Sequence, residues 1–336
     1  MQATSATLDK PALATRHGAG RPRTLLAGLV LIALLIGAGA LLPKWLTFLL
    51  TMAASHGLVS LGIVVLMRCG VVSFGQGMVF ALGGYTAALL FNRLGMTDAL
   101  GMALAGGVVA ALAALLVARL IAGYRGIFFA MLTLALSMVL YGVLVKTDAV
   151  GGSDGFNMGR ATLLGQALPD ASVGYLLYAV TVGLSGVLAL AARVYFDSTR
   201  GLVSLAVREN ELRVEYLGGS VRQAVAANFV IAAFLGGVGG ALTVMSLGHI
   251  DPNFSYWTSS GEFVFVAILA GYHSVLAVFI ASTLLEIVRS FSSLYFPNTW
   301  QLALGIFLLL AIRFLPGGIG SLWAGGKIKT GNGGRP

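Results

Sequence analysis

The chain has 336 residues, 58% of them hydrophobic and 10% charged, with a formal net charge of +9. A soluble domain carries about 25% charged residues, and a water-soluble fold of this size cannot hide so much apolar surface, which points to a membrane-embedded chain. The basic excess sits in short stretches between apolar runs, as the positive-inside bias requires, so it is no sign of a nucleic-acid partner, and the single cysteine, Cys69, excludes an intrachain disulfide or a cysteine metal cage.

Residues 1–23 are polar and basic (Lys10, Arg16, Arg21, Arg23) and read as a cytoplasmic tail. The apolar run 25–42 opens the first span. A signal peptide cleaved near Ala38-Gly39-Ala40 is the rival, but the run exceeds a usual signal core and more spans follow at once. A hydrocarbon core of about 30 Å takes about 20 apolar residues per helix. On that measure spans fall at 24–42, 45–67, 74–92, 99–118, 126–145, 173–194 and 224–247. The stretch 257–291 is too long for one helix and is interrupted by Gly271-Tyr272-His273-Ser274. It therefore divides into a short helix at 257–270 and a longer one at 274–291. A last span at 299–315 stops at Pro316-Gly317-Gly318, a helix-ending signal. The 46 glycines would each cost a soluble helix about 1 kcal/mol against alanine, whereas in a membrane bundle they let backbones approach closely. The expected fold is all-α, a polytopic transmembrane helix bundle of about ten spans, some short or broken. It occupies 24–318, followed by a cytoplasmic tail at 319–336.

Ten spans place 16 of the 21 basic residues, and both termini, on the cytoplasmic side; Lys44, Arg93, Lys146, Arg160 and Arg289 lie outside. Nine spans would move one basic terminus outside, so the bias favours an even number.

Two segments are not membrane-like. Residues 147–172 form an outside loop whose Gly151-Gly152-Ser153-Asp154-Gly155 is rich in turn formers. Residues 195–223 form an inside segment with an amphipathic helix at 203–217. Leu202, Val203, Leu205, Leu212, Val214 and Leu217 give its apolar side, and Arg208, Glu209, Glu211, Arg213 and Glu215 its polar ones. Glu209 and Arg213 are spaced to pair on one face, and Gly218 suits the left-handed position that ends a helix. Such a helix either rests on lipid headgroups or docks a cytoplasmic partner. Its mixed charge favours docking, because lipid-surface helices are dominated by Lys and Arg.

The third span carries Gly75, Gly77, Gly83 and Gly84 beside Ser73 and Gln76, a thin-walled face that either packs tightly or lines a polar pathway. Gly236 and Gly240 are read as packing. Glu286 lies inside the ninth span with Arg289 three residues on, so a local ion pair is expected, although an intramembrane carboxylate is also a pathway candidate. Glu262 is placed at a span's outer edge, and His249 with Asp251 in turn chemistry before Pro252. No phosphate loop is present, and histidines at 17, 56, 249 and 273 have no metal spacing, so neither ATP binding by that route nor a metal site belongs to this chain.

Several stretches resemble the LivM-type permeases of branched-chain amino-acid ABC importers. Ser198-Thr199-Arg200-Gly201 leading to Ala206-Val207-Arg208-Glu209-Asn210-Glu211 is similar to the family's coupling segment. Val72-Ser73-Phe74-Gly75-Gln76-Gly77 with Phe80-Ala81-Leu82-Gly83-Gly84-Tyr85 resembles its glycine-rich third span. Arg125-Gly126 with Thr133-Leu134-Ala135, the 151–155 loop, and Trp300-Gln301-Leu302 with Phe314-Leu315-Pro316-Gly317-Gly318 follow in the family's order. The resemblance spans roughly 45–325. It departs at Gln76, where many relatives have His, and at Ala270-Gly271-Tyr272-His273-Ser274-Val275-Leu276-Ala277, where a Gly- and Pro-rich turn is usual.

The resemblance implies a type II ABC importer-like permease in a bacterial inner membrane. It implies a homologous second permease subunit, two cytoplasmic ATPase subunits that bind the ATP, and a periplasmic solute-binding protein. The solute would be a branched-chain or hydrophobic amino acid, or a small relative such as urea or an amide. It casts Arg208, Glu209, Asn210, Glu211, Arg213, Leu217 and Gly218 as the ATPase contact. Ser73, Gly75, Gln76, Gly77, Tyr85 and Thr133 become pathway candidates, and Gly151, Gly152, Ser153, Asp154 and Gly155 the face for the binding protein. An ion-coupled secondary transporter or channel is the alternative; it needs several intramembrane acids, of which Glu286 alone stands out. A membrane enzyme lacks any acid, base or metal set.

Overall fold

The computed structural model describes residues 21–162, 173–295, 297, 299–314 and 317–323. Its helices are α1 (Arg21–Gly39), α2 (Lys44–Met67), α3 (Gln76–Leu94), α4 (Ala99–Ile121), α5 (Gly126–Lys146), α6 (Val173–Phe196), α7 (Thr199–Glu209), α8 (Glu211–Tyr216), α9 (Val221–Leu247), α10 (Trp257–Ala270), α11 (Val275–Tyr295), α12 (Trp300–Phe314) and α13 (Ile319–Trp323). Two-residue strands β1 (Phe156–Asn157) and β2 (His249–Ile250) pair antiparallel, Phe156 opposite Ile250. The ribbon marks one end of the bundle. α7 and α8 mark the other, here called basal.

The predicted spans match these helices to within a few residues. Six, namely α2, α4, α5, α6, α9 and α11, are long and apolar enough to cross a membrane by length and composition. The four others counted as spans, α1, α3, α10 and α12, are shorter or less apolar. α2 and α9 form the centre, with 83% and 72% of their most apolar stretches buried, against 22% for α5 on the periphery.

The glycines work as close-packing residues. Gly83 of α3, Gly106 of α4 and Gly237 of α9 meet at one crossing. A Cβ on Gly83 would overlap the Gly237 carbonyl, one on Gly237 would lie 2.6 Å from the Gly106 oxygen, and one on Gly106 2.8 Å from the Gly83 oxygen. Gly240 sits as closely on the Phe80 carbonyl. So Gly83, Gly236 and Gly240 serve packing, where small residues let backbones touch.

Four expectations need correction. The amphipathic helix 203–217 is two helices, because Asn210 is extended (φ −161°, ψ 102°) and turns its side chain to cap α8 by accepting from the Arg213 N–H. The break moves Glu209 and Arg213 off a common face, and among the described residues they form no ion pair; Glu211 instead meets Arg125 at 3.0 Å. Glu286 pairs with His56 rather than with Arg289 alone, and Arg289 reaches Glu262 on α10. Glu262 therefore lies within the bundle and not at a span's edge. Gly218 does take the left-handed conformation (φ 82°) beyond α8. The first 20 residues, Pro316 and everything after 323 lie outside the described residues.

Candidate functional site

Two interrupted segments meet at mid-depth. After α2 the chain turns at Gly70 and runs without helix from Val71 to Gly75, buried at Val71, Ser73 and Gly75, before α3 begins at Gln76. Gln76 Nε2 donates to the carbonyls of Val59 on α2 (3.2 Å) and Ala232 on α9 (3.0 Å). At about 1.5 Å per residue, those carbonyls lie about 12 and 16 Å from the basal ends of their helices, so α3 starts deep inside the bundle. Non-helical backbone at such depth must find partners inside the protein. The Phe74 N–H donates to Thr133 Oγ1 (3.1 Å) and the Gly75 N–H to Ser73 Oγ (3.1 Å). The Gly77 N–H donates to Ser260 Oγ (2.8 Å).

From the ribbon end, a 3-10 turn at Pro252–Ser255 descends to the same layer and leads into α10. Asp251 caps it, its Oδ1 accepting from the Asn253 N–H at 2.7 Å, and Ser137 Oγ donates to the Ser255 carbonyl at 2.7 Å. The start of α3, the start of α10 and the middle of α5 thus converge on hydroxyls and carbonyls. Of the pathway candidates, Ser73, Gly75, Gln76, Gly77 and Thr133 belong to this junction. Tyr85 does not. It is buried nearer the ribbon, with its ring edge-on to Phe156.

Next to the junction run two ion pairs. His56 Nδ1 lies 3.3 Å from Glu286 Oε2, and its ring stands edge-on to Phe80 and Phe263. Arg289 Nη1 donates to Glu262 Oε2 at 3.1 Å. They join α2 to α11 and α11 to α10. Ser137, Ser255 and Ser260 are not singled out by the sequence, and His56 and Glu262, noted there, are not assigned these partners.

At the basal end, α7 turns Gly201, Ser204 and Val207 inward. Ser204 Oγ accepts from Asn228 Nδ2 on α9 (2.8 Å), and Asn228 Oδ1 accepts from the Tyr195 hydroxyl at the end of α6 (2.8 Å). Arg125 Nε donates to Glu211, tying α8 to the start of α5. Outward face Leu202, Leu212, Tyr216 and Leu217, with Tyr216 89% and Leu217 83% exposed, alongside Glu209, Arg213 and Glu215. The apolar side chains of α7 and α8 thus mostly face away from the bundle; Val214 is buried. Arg208 leans back into the bundle, donating to the Met67 carbonyl at 3.3 Å.

At the ribbon end, Gly151, Gly152 and Gly155 have positive φ, and a Cβ on Gly155 would overlap the Ile250 carbonyl. Ser153 Oγ donates to Asp154 at the exposed tip (3.0 Å). Asn92 Nδ2 donates to the Asn157 carbonyl (2.9 Å), and His249 Nδ1 lies 2.8 Å from Asn157 Oδ1. The 151–157 loop is thus fastened to the segment that descends to the junction.

The arrangement is a helical bundle with broken elements at mid-depth and a fastened, outward-facing segment at one end. Residues 45–313 match the family described as branched-chain amino acid transport system / permease component. The chain belongs to that family. The permease is 26% identical over 320 residues to the high-affinity branched-chain amino acid transport system permease protein LivM of Escherichia coli (strain K12), covering 87% of this chain and 74% of that one. Identity and coverage are the same with LivM of Salmonella typhimurium (strain LT2), over 319 residues. No solved structure matches. The chain is a multi-pass membrane permease and not an enzyme.

Proposed function

We propose that the permease is the membrane subunit of an ATP-driven importer for branched-chain or hydrophobic amino acids, or for small relatives such as urea or amides. It works with a homologous second permease, two cytoplasmic ATPase subunits and a periplasmic binding protein, in a bacterial inner membrane. Ten spans put both termini and the α7–α8 segment in the cytoplasm and the ribbon outside. The observation that carries this reading is the α7–α8 knob. It exposes apolar and mixed-charge side chains outward, yet it is bonded to α2, α5, α6 and α9 behind. A lipid-surface helix needs no such tethers, whereas a segment that receives force does. The mid-depth junction is where backbone and hydroxyl groups would meet a polar solute.

A second reading, an ion-coupled secondary transporter or channel, draws on the two ion pairs. They draw Glu286 and Glu262 into contacts between helices, and intramembrane acids serve ion coupling elsewhere. Here each carboxylate is already matched by His56 or Arg289. Co-expression with candidate ATPase subunits, followed by reconstitution, separates the two. The importer reading expects leucine uptake to need ATP, and Leu212→Asp with Leu217→Asp to abolish ATPase co-purification while the chain stays inserted. Uptake by the chain alone under a proton or sodium gradient would overturn it.

A further inference from the structure

Tyr272 and His273 interrupt the apolar stretch 257–291, and the structure gives them work. They form the linker between α10 and α11, at the basal end. The Arg208 guanidinium lies 3.4 Å from the centre of the Tyr272 ring. The His273 ring stacks on the same tyrosine with centroids 3.9 Å apart. Arg68, which closes α2, donates through Nη1 to the Tyr272 carbonyl (3.4 Å) and covers the Phe196 ring of α6 at 4.3 Å. Arg208 also sits over the α2–α3 turn, where a Cβ on Gly70 would meet its Cα at 3.4 Å. One aromatic ring therefore joins the end of α7 to the linker, with the end of α2 and the entry to α3 alongside.

We propose that Tyr272 is a positioning residue that passes movement of the α7–α8 segment to α10, and so to the mid-depth junction. The proposal rests on the reading that α7–α8 receives force from a motor. A cation over an aromatic face holds two elements together without locking their register, because the attraction is broad in angle. The linker is closely packed on its backbone side: Gly271 takes φ 75°, and a Cβ on Gly318 would sit 2.7 Å from the Gly271 nitrogen. The push is then delivered along α10, whose 14 residues form a rod of about 21 Å. The far end of that rod carries Ser260, which holds the Gly77 N–H at the start of α3. Arg68 Nε is buried with no hydrogen-bond partner among the described residues. A leftover buried donor is a cost that another position of the linker would relieve, so this contact suits a part that moves.

The test places a nitroxide on Trp257→Cys, at the start of α10. The native Cys69 stays unlabelled because burial pushes its thiol up to about 11. In the full chain alone, in lipid nanodiscs, Tyr272→Ala should speed nitroxide motion roughly twofold, and Tyr272→Phe, which keeps the ring, should match the parent. In the complex with ATPase subunits, ATP with vanadate should change the spectrum in the parent and in Tyr272→Phe but not in Tyr272→Ala, with equal ATPase co-purifying from all three. Unchanged motion at 257 in Tyr272→Ala, or an equal effect of Tyr272→Phe, overturns the proposal. If no ATPase binds the parent chain, the importer reading fails, while the measurement on the chain alone still decides the contact between Tyr272 and α10.

Discussion

A single alanine should have opposite effects at two glycines of this permease. Gly142 on α5 and Gly83 on α3 are both helical. A Cβ on Gly142 meets nothing within 4 Å, whereas one on Gly83 would overlap the Gly237 carbonyl, with the Gly237 carbon atoms next to it. In a helix interior, alanine is favoured over glycine by about 1 kcal/mol, so Gly142→Ala should stabilise the chain by up to about that amount. At Gly83 the same gain is set against a clash with backbone, which has no rotamer to change. α3 and α9 must move apart, and the Gly106 and Gly237 contacts loosen with them. Overpacking of a tight interior costs about 1–3 kcal/mol, and three helices share this crossing, so after the gain of about 1 kcal/mol the net effect should be a loss of up to about 2 kcal/mol. The assay is equilibrium unfolding of the isolated chain in mixed micelles of dodecyl sulfate and a mild detergent, followed by circular dichroism. Gly83→Ala that unfolds at or above the parent midpoint, or Gly142→Ala that falls as far as Gly83→Ala, would show that the crossing is not close-packed as described.

Two further predictions concern charge. Glu262→Gln strips Arg289 of its hydrogen-bonded carboxylate and leaves it beside Glu286, a change expected to cost about 1–3 kcal/mol in the same unfolding assay; adding Arg289→Gln should recover most of the loss, and an additive double variant would refute the pairing. Burial, with Arg208 and Arg68 alongside, holds His273 below its ordinary value of 6.5. A histidine with a depressed folded value is kept neutral by the fold, so its contribution is complete above pH 6.5 and is lost as pH falls through the lowered value. The thermal midpoint should therefore drop in acid and drop less in His273→Gln; identical acid profiles for the two would remove His273 from the account.

Span positions were legible because each apolar run is bounded by Gly, Pro or a charge, and a run of that kind has one stable answer in lipid. The interruption at Gly271 was legible for the same reason. The break at Asn210 was available but missed: Asn is a strong N-cap, and an acidic first turn follows it at Glu211, a local signal that outweighs the smooth amphipathic pattern across 203–217. Partner choice was not legible. Arg289 has Glu286 one turn away along its own helix, yet its short contact is with Glu262 on another helix, because tertiary packing decides which carboxylate the guanidinium reaches. The same holds for Gln76. In sequence it is a polar residue on a glycine-rich face, which fits a pathway; in the bundle its amide nitrogen is committed to two carbonyls on two helices.

The contacts along α3 differ in kind with depth, and that difference bears on how such a bundle moves. At the start of α3, backbone N–H groups are held by the hydroxyls of Ser73, Thr133 and Ser260. A hydroxyl rotates, and a water or a polar solute can take its place, so exchange there costs little once a substitute is present. About 10 Å further along the helix, at about 1.5 Å per residue, Gly83 meets Gly106 and Gly237 backbone to backbone, where no substitute exists and separation forfeits packing outright. A push delivered at the basal end therefore meets a yielding layer first and an unyielding crossing behind it, so the helices pivot about the glycines rather than slide past them. Gly83→Ala tests that order as well as stability, since a loosened crossing would weaken the response of a label at position 257 even with Tyr272 and its stack intact.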